Sequence, residues 1–260
     1  MKIVVCVKHV PDAQAGPRFA ADRTTDRAGV DGHLSELDEY AVEEALTIAE
    51  AQPGSTVTVV TVGPAAASDA VRKALQMGAD AGVHVVDDAL HGSDAPATSL
   101  VLAKAIAKLE HDLVITGMAS TDGAMSVVPA MLAERLSLPQ LTFAGAVSVA
   151  GSAVRIERDG DASTEVIEAQ LPALVSVTDQ INDPRYPSFK GIMAAKKKPV
   201  QTWSLADLGI SADQVGASAA WTVVDDIVAR PPRQAGEIVS AAEGDGGHRL
   251  VAYLTGAKLV

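Results

Sequence analysis

The segment Gly117-Met118-Ala119-Ser120-Thr121-Asp122-Gly123-Ala124-Met125-Ser126-Val127-Val128-Pro129 has the composition of a phosphate loop. It follows an apolar β-branched run and opens a helical pattern. Its glycines allow tight turns and close backbone approach. Free N–H groups at a helix start attract anions, and Ser126 adds a hydroxyl donor. A plain strand-to-helix loop with Ser or Thr caps fits the same text equally well. His9 stands at a strand end where a ligand could meet it, although a lone His is more often structural. Lys196-Lys197-Lys198 reads as a solvated run or as a contact for an acidic partner. Cys6 lies inside an apolar run and reads as a small core residue rather than a reactive thiol.

Other chemistries lack their residues. There is no GxGxxG after the first strand, no GxxxxGK[ST], no GxSxG, no HExxH and no EF-hand loop. The six histidines are scattered. A single cysteine excludes an internal disulfide and any CxxC site. Lys plus Arg number 21 against 33 Asp plus Glu, a net charge of −12, which argues against nucleic acid as a partner. No apolar run approaches the about 18–20 residues that span a bilayer, so the chain is expected not to be membrane-inserted. Met1 to Val7 reads as a strand rather than a leader, and the expected location is cytoplasmic. Aromatic residues make up only 3%, so a nucleotide would be held by backbone groups and aliphatic walls rather than by stacking.

The elements that must position these residues are set by hydrophobic period. Ile3–Val7, Val57–Val62, Val83–Val86 and Leu113–Thr116 are short buried-strand patterns. Helical patterns fall between or after them at Asp38–Gln52, Ser68–Met77, Asp94–Leu109 and Met125–Leu136. Strands alternating with helices predict an α/β fold, a mostly parallel Rossmann-like sheet flanked by helices. Ligands then sit outside the carboxyl ends of the strands, at Lys8–Asp12, Gly63-Pro64 and Gly117–Val128. From Leu141 to Val177, short strand patterns separated by turns predict antiparallel strands added to that sheet. The pattern divides into an α/β domain over 1–188, a loop-like recognition and basic segment over 189–206, and a C-terminal arm over 207–260 packing on a partner.

Several segments carry a family resemblance. They are Val7-Lys8-His9-Val10-Pro11-Asp12, Asp38 to Ala45, Thr61-Val62-Gly63-Pro64, Arg72 to Asp80 and Leu138 to Phe143. Leu171-Pro172-Ala173, Ile181 to Ser188, Gly191 to Lys198 and Arg233-Gln234-Ala235-Gly236 complete the series. In this order and spacing the chain resembles the beta subunits of electron transfer flavoproteins, the FixA-like family. The resemblance implies a heterodimer with a larger alpha subunit that holds most of a shared FAD. It implies an adenine-nucleotide-binding α/β fold burying a structural AMP. Acyl-CoA and related dehydrogenases would reduce the flavin, and a membrane quinone oxidoreductase would accept the electrons. No catalytic residue is expected on this subunit, and no metal.

The resemblance places AMP near Cys6, Ser35, Leu37, Asp38 and Val62, and along Asp122, Gly123, Ala124, Met125, Ser126, Val127 and Val128 in the stretch reaching Glu134. Cys6 and Val62 would wall the adenosine. Gly123, Ser126, Val127 and Val128 would meet the phosphate through N–H groups. The chain has Ser35-Glu36 where many members have Asn-Pro, and Ser126-Val127-Val128-Pro129 where many have Thr-Gly-Gln or similar. Phe189 stands at the family's dehydrogenase anchor, with Ile192 and Met193 beside it. Glu165 matches an acidic residue that pairs with an Arg of the flavin domain. The alternatives are a bifurcating complex with a second FAD in place of AMP, a stand-alone nucleotide-binding module of the stress-protein type, and an enzyme acting on adenylates.

Overall fold

The computed structural model describes residues 1–260 apart from Pro17, Gln234, Ala235, Glu237 and 239–243. Arg233-Gln234-Ala235-Gly236 therefore falls partly outside the described residues. The chain divides into two compact units, Met1–Val224 and Asp225–Val260.

In the first unit, β1 (Lys2–Cys6) leads into a hairpin of β2 (His9–Pro11) and β3 (Gly32–Leu34). Helix α1 (Glu36–Ala51) follows, with Glu36, Asp38 and Glu39 in its first turn, where the helix dipole favours acids. Next come β4 (Thr56–Val62), α2 (Ser68–Met77), β5 (Ala81–Val85) and α3 (Ala95–Ala107). The Asp94 carboxylate caps α3 by accepting from the Ala97 N–H at 3.0 Å, and Gly78 ends α2 at φ 153°. Then come β6 (Leu113–Gly117), α4 (Val128–Leu136), β7 (Gln140–Ala144), β8 (Ala146–Ala150), β9 (Ala153–Asp159), β10 (Thr164–Gln170) and β11 (Ala173–Val177). Helix α5 (Phe189–Ala195) and β12 (Val200–Trp203) complete the series.

Seven strands form one sheet in the order β12-β5-β4-β1-β6-β11-β7, and every pairing is parallel. Such strands are buried on both faces, which is why their sequences are continuous β-branched runs. One apolar cluster joins Ile3 and Val5 of β1 to α1 and α2 (Ala41, Val42, Ala70, Leu75). A second joins Val4 and Val60 to α3 and α4 (Val101, Ile106, Leu132). The expected antiparallel strands exist but stand apart as their own sheet, β10-β9-β8. Val154 and Ile156 of β9 face the first cluster, and the outward positions of β9 and β10 are exposed, so the alternation along these strands is real. Leu141–Phe143 and Leu174–Val177 have the pattern of that antiparallel set, yet they belong to the parallel strands β7 and β11.

The stretch from 189 onward also departs from expectation. The sequence predicts a loop-like segment over 189–206, but this stretch contains α5 and β12, which pairs with β5 from Val200↔Gly82 to Trp203↔Val85. Leu205, Leu208, Ile210 and Val215 are buried in the second cluster. The first compact unit thus runs on past 188 and 207 to Val224, because these few apolar residues close the sheet's β12 edge. The second unit holds one helix among its described residues, α6 (Gly246–Gly256), none of whose residues is buried.

Candidate functional site at the carboxyl ends of the strands

From β1 the chain moves through α1 to β4 on one side; from β6 it moves through α4 to β7 on the other. The carboxyl ends of β1 and β6 therefore flank a crevice, the usual ligand position in such sheets. The first turn of α1 closes its floor. The Lys8 N–H donates to Asp38 Oδ2 at 2.8 Å, and the Gly117 backbone also lowers the proton affinity of that carboxyl. Gly117 is needed here for closeness rather than for turning. A Cβ on it would lie 2.7 Å from Asp38 Oδ1 and 2.8 Å from the Leu37 carbonyl oxygen. The loop's left-handed residues are instead Ala124 (φ 49°) and Ser126 (φ 56°), not Gly123.

The electrostatics of this floor are unusual. Burial pushes the Asp38 carboxyl up to about 7, against the pull of the Lys8 and Gly117 donors and the Lys8 charge. Burial, helped by Asp38, pushes the Cys6 thiol up to about 12, so it stays protonated and inert. Asp122 behaves oppositely. Burial would raise it, but the Lys8 ammonium at 2.8 Å, the Ser120 side chain and the Arg27 guanidinium hold it at about 2. Lys8 also donates to Ser120 Oγ at 3.2 Å. Two cations thus converge on one carboxylate at the mouth of the crevice.

Cys6 and Val62 end β1 and β4 and border the α3/α4 cluster, and Thr116 stands one residue before the end of β6. Thr116 is buried and its hydroxyl has no hydrogen-bond partner. The same holds for Ser35 Oγ, at the residue that caps α1. Leu37 is partly buried beside Ser35 and Asp38. Gly123, Ala124 and Met125 are exposed, whereas Asp122, Ser126, Val127 and Val128 are partly buried. Helix α4 begins at Val128, three residues later than its sequence pattern suggests, and Pro129 removes one N–H from its first turn. Ser126 at positive φ is followed by Val127 in the right-handed region, a pairing that turns successive N–H groups toward one side. Two residues of the crevice, Thr116 and Arg27, carry no sequence signal. Thr116 is hidden inside a strand pattern, and Arg27 reaches Asp122 across 95 residues of chain.

The remaining sequence-predicted residues are carried by α5 and β10. Phe189 is 81% exposed at the start of α5, with Ile192 and Met193 also exposed along it. Glu165 sits on β10 opposite Arg158, whose Nη2 and Nε donate to Glu165 Oε2 at 2.5 and 2.9 Å. Its carboxylate is therefore engaged within this chain. Pairing with an Arg of another subunit requires exchange with Arg158, and an exposed pair of roughly 0–1 kcal/mol permits that. Arg158, Glu165, Phe143, Met118 and Thr178 line a cavity of about 470 Å³.

The parallel seven-stranded sheet flanked by helices, with its strand order reversing between β1 and β6, defines the class: a doubly wound α/β subunit. The family model of the electron transfer flavoprotein domain matches residues 22–208. The electron transfer flavoprotein subunit beta of Mycobacterium leprae (strain TN) is 47% identical over 264 residues, covering 99% of each chain. That of Megasphaera elsdenii is 33% identical over 258 residues, covering 96% of this chain and 95% of its own. The caffeyl-CoA reductase-Etf complex subunit CarD of Acetobacterium woodii is 36% identical over 241 residues, covering 92% of each chain. The chain belongs to the electron transfer flavoprotein family, among its beta subunits. Among the described residues, no helix is long and apolar enough to cross a membrane.

Proposed function

We propose that the chain acts in the cytoplasm as the beta subunit of a heterodimeric electron carrier. Its larger alpha partner holds most of an FAD. Acyl-CoA and related dehydrogenases reduce that flavin, and a quinone oxidoreductase takes the electrons onward. The flavin supplies the redox chemistry when bound. This chain supplies a nucleotide cleft and a docking surface rather than catalytic groups.

Three buried hydroxyls lack partners among the described residues, and two of them, Ser35 Oγ at the start of α1 and Thr116 Oγ1 on β6, carry the nucleotide reading. Buried polar groups are nearly always hydrogen-bonded, so these two favour a ligand that satisfies them. The surrounding residues fit an adenine nucleotide such as AMP. Cys6 and Val62 offer an apolar wall. The N–H groups at Ser126 and Val127 suit a phosphate, and Lys8 and Arg27 balance its charge. Exposed Phe189, Ile192 and Met193 suit an apolar pocket on a dehydrogenase, the usual form of an interface anchor. A second reading, with FAD in place of AMP, draws support from the 36% identical subunit of a caffeyl-CoA reductase complex.

The test is to co-express the chain with a candidate alpha subunit, denature the complex and count released nucleotides. One FAD and one AMP per heterodimer supports the first reading. Two FAD and no AMP supports the second. A chain that forms no complex and carries adenine nucleotide alone overturns both.

A further inference from the structure

The exposed residues Tyr186 (92%) and Phe189 (81%) stand between two anchors. The first is Arg185. Its Nε and Nη2 donate to the two oxygens of Glu43 at 2.8 Å each, and its Nη1 and Nη2 donate to those of Glu50 at 2.5 and 3.2 Å. Its backbone N–H also donates to Glu43, at 3.0 Å. Glu43 and Glu50 lie seven residues apart, two turns along α1, so one guanidinium bridges one side of that helix. Burial alone would raise Glu43, but this clasp outweighs it and holds the carboxyl low; the same contacts drive Arg185 upward. The second anchor lies on α2. Lys198 Nζ donates to the Leu75 and Gly78 carbonyl oxygens, both at 2.9 Å, and the backbone of Gly191 passes so close that a Cβ there would meet the Gln76 carbonyl oxygen at 2.5 Å.

A bidentate guanidinium pair is directional as well as strong, and a lysine cannot reproduce it. Its strength is spent on a short segment with almost no core: of α5, only Ala195 is buried. The clasp therefore fixes the chain next to Tyr186 and Phe189 on α1. We propose that Arg185 is a positioning residue for dehydrogenase docking, pre-ordering these two aromatic side chains on the surface of α1 and α2. The inference rests on the docking reading above. Pre-ordering reduces the entropy lost on binding, so loosening the clasp weakens association more than it slows electron transfer within the complex.

The experiment uses the heterodimer as electron acceptor for an acyl-CoA dehydrogenase, with wild type, Arg185→Met, Arg185→Lys, Glu50→Gln, Phe189→Ala and the Arg185→Met/Phe189→Ala double variant. Arg185→Met is expected to raise the KM for the heterodimer about tenfold with limiting turnover little changed. Glu50→Gln and Arg185→Lys should give intermediate values, and amide exchange over 183–195 should quicken in step. In the Phe189→Ala background Arg185→Met should raise the KM by a smaller factor than it does alone, because one of the two residues it positions is gone. An unchanged KM in Phe189→Ala would sink the docking reading. A raised KM in Phe189→Ala with an unchanged KM in both Arg185→Met and Glu50→Gln would overturn the positioning role and leave docking intact. Should Arg185→Met fold poorly, Glu50→Gln carries the test, since Glu50 is an exposed partner in the clasp.

Discussion

Two carboxyls near the same lysine end with opposite proton affinities, and the difference is hydration. Asp38 lies under the first turn of α1, where backbone N–H donors only partly replace water, so its neutral form is favoured up to about 7. Asp122 lies between Lys8 and Arg27 and is held at about 2. Their contributions to stability therefore run in opposite directions with pH. The stability associated with neutral Asp38 is complete below about pH 4 and is lost as pH rises toward 7. That associated with ionised Asp122 is complete above about pH 4 and is lost as pH falls toward 2. Asp38→Asn should therefore flatten the fall in thermal stability between pH 4 and 7. It should also narrow the gap in stability between pH 4 and pH 8 relative to wild type. Melting curves across pH check this; an undiminished slope in the Asn variant would rule Asp38 out as its source. Asp122→Asn should remove the acid-side slope, and acid titration of the two proteins compares them directly.

At the scale of elements, the crevice depends on how closely α1 approaches β6. Gly117→Ala forces its methyl against the Leu37 carbonyl oxygen, a backbone atom that cannot swing aside. Overpacking of this kind costs roughly 1–3 kcal/mol. The expected outcome is a melting temperature several degrees lower together with reduced nucleotide content in the purified heterodimer. Full nucleotide content in Gly117→Ala would move the ligand away from the α1–β6 contact. The glycines of this loop were legible as glycines, but not in their roles. Sequence offers tight turns and close backbone approach for Gly117 and Gly123 without saying which; Gly117 serves close approach, and the positive φ values fall on Ala124 and Ser126. Helix α5 and strand β12 were illegible for a similar reason. A seven-residue helix with one buried residue carries almost no periodic signal. Strand β12 has β character only because β5 offers it an open edge.

For the whole molecule, the chain divides into its two compact units after Val224. Leu208, Ile210 and Val215 belong to the core of the first unit, so removal of everything after Asp207 should unfold it. Removal after Val224 keeps that core. Unit 225–260 carries exposed Val228, Ile238, Leu250, Val251 and Tyr253, an apolar content that suits a partner surface. A chain ending at Val224 is expected to keep the melting temperature of its α/β unit but to copurify poorly with alpha. Size-exclusion chromatography of the co-expressed pair decides the point: full heterodimer yield from the shortened chain would remove the arm from assembly.

The α/β class and the strands and helices of the first half of the parallel sheet were written in local patterns. Burial on both faces demands continuous β-branched strands, and amphipathic helices must alternate with them. The ordered series of short motifs added the family. Only the tertiary structure decided that β7 and β11 join the parallel sheet while β8, β9 and β10 form their own. Only the tertiary structure brought Arg27 to Asp122 and Arg185 to Glu43 and Glu50, across 95, 142 and 135 residues of chain. Periodicity reports which face of an element is buried. It does not report which distant charge meets another, because that depends on how the elements stack once their apolar faces are satisfied.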